Sequence, residues 1–337
     1  MFLASYRKLK RHGVVGLNHR NISLIQKLNR RDLYPLVDNK LKTKELSQKA
    51  GIPVPALLGI IEEQHSAEKL IASLPTDQGF VIKPARGSGG KGVMVVPKQK
   101  MDRKGTVRYQ KSSGRLMERS DVLHHISNII SGLYSLGGYR DIAMVEELVK
   151  PHPFFDPIAW EGLPDVRIVV MRGYPIMAMI RLPTSHSQGR ANLHQGAVGV
   201  GINIATGVMT TGVQFNRLAS EHPDTLVEFG GLRIPEWRKQ LEMAASCHEM
   251  TGLGYLGCDI ILDAQRGPLL LELNARPGLN IQIANNQGLG INVAKASEWQ
   301  DLEEGPAERV ARAIAAFGGG EEPLPEEDEP ARAYAGV

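Results

Sequence analysis

The sequence predicts an α+β protein of two lobes, and two observations carry that class. Apolar runs of strand length come in close pairs with short turns between them, and helical patterns lie outside the pairs. The most glycine-rich stretch, residues 87–92, runs into Val93, Met94, Val95 and Val96, which read as strand. A parallel doubly wound sheet would instead place a helix directly after such a glycine turn.

In chain order, Ile22, Ile25 and Leu28 stand at helical spacing within residues 21–31. A second helix is expected over 38–50, opened by Asp38 as N-cap and ended by Gly51. Pro53 and Pro55 then hold the chain extended. A short helix over 66–73 precedes a strand at 80–84, the glycine loop and a strand at 93–96. Residues 97–119 carry many charges and few apolar side chains, so a mobile loop is expected there. A helix over 121–136 follows, then strands at 143–149, 166–171 and 175–181, the last two turned at Gly173. A helix over 237–250, a hairpin of 258–263 with 269–274 and a helix over 307–317 complete the pattern. The acidic, proline-bearing residues 318–337 are expected to be a disordered tail. No internal repeat is visible.

The 337 residues are 42% hydrophobic and 23% charged, an ordinary globular balance. No apolar run reaches the roughly 18 residues of a membrane span, and the start lacks the pattern of a signal peptide. Cys247 and Cys258 have no metal or redox spacing, so free thiols in a reducing cytoplasm are expected. The net charge of +4 is unevenly spread: residues 1–50 hold 12 Lys or Arg against 3 Asp or Glu, and 98–119 is also basic. Such regions attract anions, yet the plainer reading is solvated faces. Aromatics are few and not interleaved with the cations, which disfavours nucleic acid as a partner.

Two segments carry the chemistry. The first holds Lys83, Gly87, Ser88, Gly89, Gly90, Lys91 and Gly92. Glycines let the backbone approach a phosphate chain and aim N–H groups at it, and the lysines add point charges. A strand on each side makes the loop a flap, where a dinucleotide fingerprint would open a helix. The second places Asp259 on one arm of a hairpin and Glu272 and Asn274 on the other. Glu272 and Asn274 share a face because they are two apart in a strand. If residues 264–267 form a four-residue turn, Asp259 lies opposite Glu272, a repulsive pair that a bound cation would turn into a ligand set. Oxygen ligands of this kind suit magnesium. A solvent-facing hairpin edge is the competing reading, weakened by the apolar Ile260, Leu262, Leu271 and Leu273 expected on the opposite face.

Weaker signals accompany these. Glu146 and Glu147 end an apolar strand before Val149, where a backbone edge and a carboxylate could meet adenine and ribose. Arg167 and Arg181 could hold phosphate or carboxylate in bidentate fashion. Asp165, Asn192 and His194 are polar positions near apolar strands, and His124 with His125 read as helix surface.

Taken in order, these segments resemble the ATP-grasp superfamily, and within it the ribosomal-protein glutamate ligase group and its alpha-L-glutamate ligase-related branch. The matching stretches are Asp38-Asn-Lys40, Gly51-Ile-Pro-Val-Pro, Val81-Ile-Lys83-Pro with Gly87-Ser-Gly-Gly-Lys-Gly, Glu146-Glu147, Asp165-Val-Arg167, Asn192-Leu-His194, Gly257-Cys-Asp259 and Glu272-Leu-Asn274-Ala-Arg276-Pro-Gly278. The resemblance implies an ATP-grasp fold, two α+β lobes with an antiparallel sheet in each and ATP between them. It implies a reduced N-terminal segment over 1–37, an N-terminal lobe over 38–150 and a C-terminal lobe over 151–317. It assigns Lys40, Lys83 and the loop Gly87, Ser88, Gly89, Gly90 and Lys91 to the ATP phosphates. Glu146, Glu147 and Val149 become the adenine and ribose hinge, with Asp165, Arg167 and His194 also on the nucleotide side. Asp259, Glu272 and Asn274 become ligands of two magnesium ions, with manganese as a substitute, and Arg181, Asn192 and Arg276 face the activated carboxylate.

The expected reaction is ATP-dependent joining of a carboxylate to an amine through an acyl phosphate, with glutamate, another amino acid or a peptide as substrate. A small-molecule phosphotransferase and a nucleotide-binding subunit without turnover are the alternatives. Related ligases carry a larger domain ahead of the Asp38 motif, so the acceptor site is not carried across. Leu and Ile in the N-terminal region could serve a homo-oligomer.

Overall fold

The computed structural model describes residues 5–318 except Ser88 and Lys104. The expected tail from residue 319 on, and Ser88, lie outside the described residues. The helices are α1 (Tyr6–Arg11), α2 (Leu17–His19), α3 (Pro35–Asp38), α4 (Lys40–Lys49), α5 (Gln64–Ser73), α6 (Arg119–Ile130), α7 (Trp237–Thr251), α8 (Asn280–Ala284), α9 (Leu289–Ser297) and α10 (Pro306–Phe317). The strands are β1 (Leu57–Ile61), β2 (Phe80–Pro84), β3 (Met94–Val96), β4 (Lys98–Met101), β5 (Val107–Gln110), β6 (Leu116–Met117), β7 (Ala143–Glu147), β8 (Asp165–Met171), β9 (Tyr174–Leu182), β10 (Val198–Ile202), β11 (Met209–Gln214), β12 (Arg217–Ala219), β13 (Tyr255–Asp263) and β14 (Gly267–Asn274). They cluster into two compact units.

The loop unit comprises Tyr34–Lys150 and Leu269–Glu272. Its main sheet has the order β1-β7-β2-β3, antiparallel throughout. Its core joins Phe80, Ile82, Val96 and Val145 from the strands to Ile71 of α5 and Val122, Ile126 and Ile129 of α6. The α6 residues recur at helical spacing, so one face of the helix is apolar, and each such buried side chain contributes about 1.5–3 kcal/mol. A capping box starts α6: Glu118 N donates to the Asp121 carboxylate at 2.9 Å. The helix stops at Ile130, short of the expected 136, ahead of Gly132 at φ 88°.

Three expectations in this unit are corrected. Residues 97–119 form a second antiparallel sheet, β4-β5-β6, where a mobile loop was expected. Its charges line the solvent side, while Tyr109 and Met117 are buried and Tyr109 meets Phe80 edge-on at 6.1 Å. Two inward side chains leave too little apolar content for the composition to show strands. The helix expected over 38–50 is α4, and its N-cap is Asn39, whose side-chain oxygen accepts from Leu41 N at 3.0 Å. Asp38 instead closes α3. The strand β1 was not anticipated, because Gly59 interrupts its apolar pattern.

The sheet unit gathers the described residues before Tyr34, Pro151–Pro268 and those from Leu273 on. The seven-stranded sheet has the order β12-β11-β10-β9-β8-β13-β14, and the pairings from β12 through β13 are antiparallel. Strands β8, β9 and β13 are almost wholly buried, so their Val, Ile and Met residues show little polar alternation. Arg172 (φ 51°) and Gly173 (φ 82°) make the turn between β8 and β9, both left-handed as a tight hairpin of this twist requires. Helices α7 and α10 pack together and on β8 and β9, while α8 and α9 pack on β9 and its neighbours.

Here too the structure departs from expectation. Residues 21–31 do not continue as one helix: a π-helical turn spans Arg20–Gln26. Beyond it, buried Asn29 donates to the carbonyls of Tyr255 and Ala275 and accepts from Tyr255 N, all at 2.8 Å. The turn after β13 is three residues, 264–266, so the opposition of Asp259 and Glu272 counted from a four-residue turn no longer follows from turn length. Strands β10 to β12 and helices α8 and α9 were not foreseen. Glycines at 199, 201 and 212 dilute the strand pattern there.

Candidate functional site

In the loop unit, β2 and the glycine loop are held from both ends. Ala85 N donates to Ile142 O and Lys40 N to Ala85 O. Arg86 N reaches the carboxylate of buried Asp141, which also accepts from Ile142 N at 2.8 Å and Ser135 Oγ. Gly89 and Gly90 have left-handed φ of 62° and 73°, and a Cβ at either would meet nothing within 4 Å, so the loop tip stands open. Gly92 ends the loop at φ 74°, where a Cβ would strike the Tyr134 ring. His125 Nε2 meets Gly92 O at 2.9 Å.

Below the loop lies a lysine cluster. Lys40 Nζ donates to Gly87 O at 2.6 Å and stands 3.3 Å from Glu272 Oε1. Glu146 is sandwiched between two ammonium groups, Lys44 at 2.8 Å and Lys83 at 2.7 Å, each on its own oxygen. Lys44 also donates to Pro55 O. All three side chains are buried. Burial lowers the Lys44 pKa more than its carboxylate partner raises it. Burial alone would raise that of Glu146, but Lys83 and Lys44 outweigh it and hold the group below its ordinary value. The cluster borders a cavity of about 10 Å³, at most a single water. Glu147 turns the other way along β7 and accepts from Ala56 N, while Val149 is buried just beyond the strand.

In the sheet unit, four more of the expected residues form one network. Asp165 faces Arg181 across β8 and β9, and Arg167 faces Asp259 across β8 and β13. Since Asp165 and Arg167 are two apart on β8, all four side chains share a face. Arg167 grips Asp259 through two bonds of 2.7 and 2.6 Å. Arg181 grips Asp165 through bonds of 2.5 and 2.7 Å and donates to Asp259 at 2.8 Å. Burial, with Asp259 nearby, pushes Asp165 up to about 6 against the pull of Arg181. For Asp259 burial acts the same way, but Arg167 and Arg181 together outweigh it and leave the group below its ordinary range.

The remaining expected residues lie outside these two clusters. Asn192 caps the 3-10 turn Leu193–Gln195, which contains His194, by accepting from His194 N at 3.0 Å. Asn274 accepts from Arg276 N at 2.8 Å, and the Arg276 side chain is exposed. Lys91 is exposed on the loop. No helix among the described residues is long and apolar enough to cross a membrane.

Residues 19–297 match the family described as sugar-transfer associated ATP-grasp. The chain belongs to that ATP-grasp family. The protein has the α+β ATP-grasp fold. A cyanophycin synthetase of Crocosphaera subtropica (strain ATCC 51142 / BH68) is 25% identical over 286 residues, covering 77% of this ATP-grasp chain and 30% of that protein. The chain thus spans under a third of the length of this relative. Among solved structures, the D-cycloserine synthetase DcsG is similar with a TM-score of 0.45 at 15% identity, over 81% of this chain and 74% of that one. The ATP-grasp ligase PsnB with its minimal precursor gives 0.42 at 15%, over 81% and 63%.

Sequence reasoning missed two residues that the fold places in the loop unit's polar clusters. Lys44 was given no role, although it forms a buried ion pair with Glu146 at 2.8 Å, beside that of Lys83 at 2.7 Å. Asp141, which anchors the loop base, stands alone in the sequence after Tyr139 and Arg140 and gave no signal.

Proposed function

We propose that this ATP-grasp protein is an ATP-dependent carboxylate–amine ligase acting through an acyl phosphate. One observation carries the reading: within a single unit, Lys40 bonds the carbonyl of Gly87 in the glycine loop and stands 3.3 Å from Glu272. Phosphoryl transfer needs a backbone cradle, a cation and a metal-binding carboxylate close together, and this lysine joins the three.

Activation of a carboxylate requires a better leaving group than oxide. The γ-phosphoryl of ATP moves to a carboxylate oxygen, releasing ADP, and the amine then attacks the acyl carbon and expels phosphate. Lys83 and Lys40 would draw the phosphate oxygens by charge, and the open Gly89–Gly90 tip would add backbone N–H donors. Arg181 and Arg276 are the candidates to stabilise charge on the attacked carboxylate, with Asn192 orienting it. Glu147 and Val149 would meet ribose and adenine. Arg167 and Asp165 would hold Arg181 and Asp259 in place.

Asp259, Glu272 and Asn274 offer the all-oxygen donor set that magnesium takes. Glu272 is one-third exposed with one ammonium beside it, whereas Asp259 already accepts three guanidinium bonds that a metal would have to share. Magnesium, when bound, would neutralise charge on the β and γ oxygens. The proposed substrates are an amino acid or peptide, glutamate being the choice that the sequence resemblance favours, and the family description adds sugar-linked acids and amines to the screen.

The test is ADP release with magnesium over amino acids, short peptides and sugar acids, with mass spectrometry of the product. An amide with free phosphate is expected. Glu272→Ala should keep the fold and lose substrate-dependent ADP release by about a hundredfold or more. A phosphorylated acceptor without amide would make the protein a phosphotransferase, and full activity of Glu272→Ala would remove the metal assignment.

A further inference from the structure

A second concave site lies in the loop unit, on the far end of the segment expected to be a loop. The cavity has a volume of about 210 Å³ and lies between the turn joining β5 to β6 and one face of α6. The turn supplies Lys111 and Arg115, and it is closed by Lys111 N donating to Arg115 O at 2.9 Å. The helix supplies Asp121, His124, His125 and Asn128. These four recur at the i, i+3, i+4, i+7 spacing of a single helix face. Two adjacent histidines, read from sequence as plain helix surface, therefore look into a cavity beside two cations.

The cations lining this cavity, Lys111 and Arg115, outnumber its one carboxylate, Asp121. Among the described residues, neither Lys111 nor Arg115 reaches a carboxylate. The carboxylate of Asp121 is taken up in capping α6, where it accepts from Glu118 N. Arg108, by contrast, is matched by Glu118 and Asp102 and needs no further anion. Burial holds the His125 pKa below its ordinary value, and nearby Lys111 and His124 push it the same way against the Gly92 carbonyl. A bound anion would relieve that repulsion. The volume is below the roughly 300–1,000 Å³ of drug-sized pockets and suits a single phosphate or pyrophosphate group. Guanidinium, ammonium and amide donors converging on one space are the usual recognition set for it.

We propose that this cavity is an accessory binding site for a phosphate group, separate from the lysine cluster at Lys83, and that it communicates with the glycine loop. The link is direct: His125 lines the cavity and its Nε2 meets Gly92 O at 2.9 Å, at the residue where the loop rejoins the fold. Its ring also lies 5.5 Å from that of Tyr134, against which Gly92 is packed. An anion held by Lys111 and Arg115 thus acts on the imidazole that fixes one end of the flap. The phosphate could be free or an ester, and the two are separated by probe.

The test needs no turnover, so it stands or falls apart from the proposed ligase reaction. The protein carrying ¹⁵N-labelled histidine is titrated with inorganic phosphate, with pyrophosphate and with glucose 1-phosphate, and the His124 and His125 ring resonances are followed. Saturable shifts of both rings with at least one probe are expected. They should weaken at least tenfold in Lys111→Ala/Arg115→Ala, whose side chains are not in the core, and persist unchanged in Lys83→Ala. A response to the inorganic ions alone assigns free phosphate, and a response to glucose 1-phosphate as well assigns a phosphate ester. No shift with any probe, equal shifts in the double variant, or their loss in Lys83→Ala would each overturn the proposal.

Discussion

Glu146→Gln is expected to destabilise the loop unit by roughly 3–5 kcal/mol, the usual cost of breaking a buried ion pair by removing one partner. The carboxylate stands between Lys44 and Lys83, with nitrogens 2.8 and 2.7 Å from its two oxygens and all three side chains at 8% exposure or less. At an effective dielectric near 20, each attraction is about 4 kcal/mol for charges roughly 4 Å apart. Two like charges then remain, buried and repelling. An amide can accept a bond from one ammonium but neutralises neither. Desolvation already favours losing the proton from Lys44, so part of the cost should be recovered by its deprotonation. The assay is urea unfolding followed by hydrogen exchange of the β2 and β7 amides, which locates the loss in this unit. With an m-value of about 2 kcal/mol/M, the midpoint should fall by about 1.5–2.5 M. Glu146→Gln/Lys44→Met, which leaves one cation beside a neutral pair, should recover at least half. A single variant within about 1 kcal/mol of wild type, or a double variant no better than the single, would refute the sandwich as a source of stability.

Arg167→Met should cost a similar 3–5 kcal/mol in the sheet unit, because it removes two of the three bonds to buried Asp259; Arg167→Met/Asp259→Leu should be closer to wild type in urea midpoint, since it leaves no unpaired charge on β13. Fully buried His222 donates from Nε2 to Pro183 O at 2.9 Å and accepts at Nδ1 from Asp224 N and Thr225 N at 3.3 Å, so both nitrogens are committed in the neutral ring. Burial holds its pKa below the ordinary value, despite the Pro183 carbonyl and Asp224. The unfolded chain therefore binds the extra proton first, and the contribution of His222, present above pH about 6.5, is lost as the pH falls through the folded pKa. The urea midpoint should drop between pH 7 and pH 5, and that drop should shrink in His222→Gln; an identical pH profile in the variant would exclude the histidine as its source.

The readable parts of the site were those written in local chemistry. Gly87, Gly89, Gly90 and Gly92 announce a backbone free of side chains, and three of the four are left-handed while a Cβ at Gly87 would strike Pro84. Asp165 and Arg167 were legible only as polar positions beside an apolar strand, and β8 puts them on one face in one network. What local pattern could not give was partnership. Nothing in the spacing of residues 167, 181 and 259 says that two guanidinium groups would meet one carboxylate, because the three come from strands brought together only by the order β9-β8-β13. The charged residues 97–119 hid a sheet for a related reason: two inward side chains, Tyr109 and Met117, suffice once a core is there to receive them.

The sequence by itself determined the α+β class and the flap between two strands, since glycine content and strand period are local properties, whereas the roles of Lys40, Lys83, Glu146 and Glu272 came only as what the family resemblance implies. Tertiary structure alone decided which charge meets which. It sandwiched Glu146 between two lysines, bound Asp259 by two arginines, and set half-buried His125, beside exposed His124, along a surface cavity. Charge pairing depends on distances of a few ångströms between residues far apart in the chain, and those distances exist only after the sheets have formed.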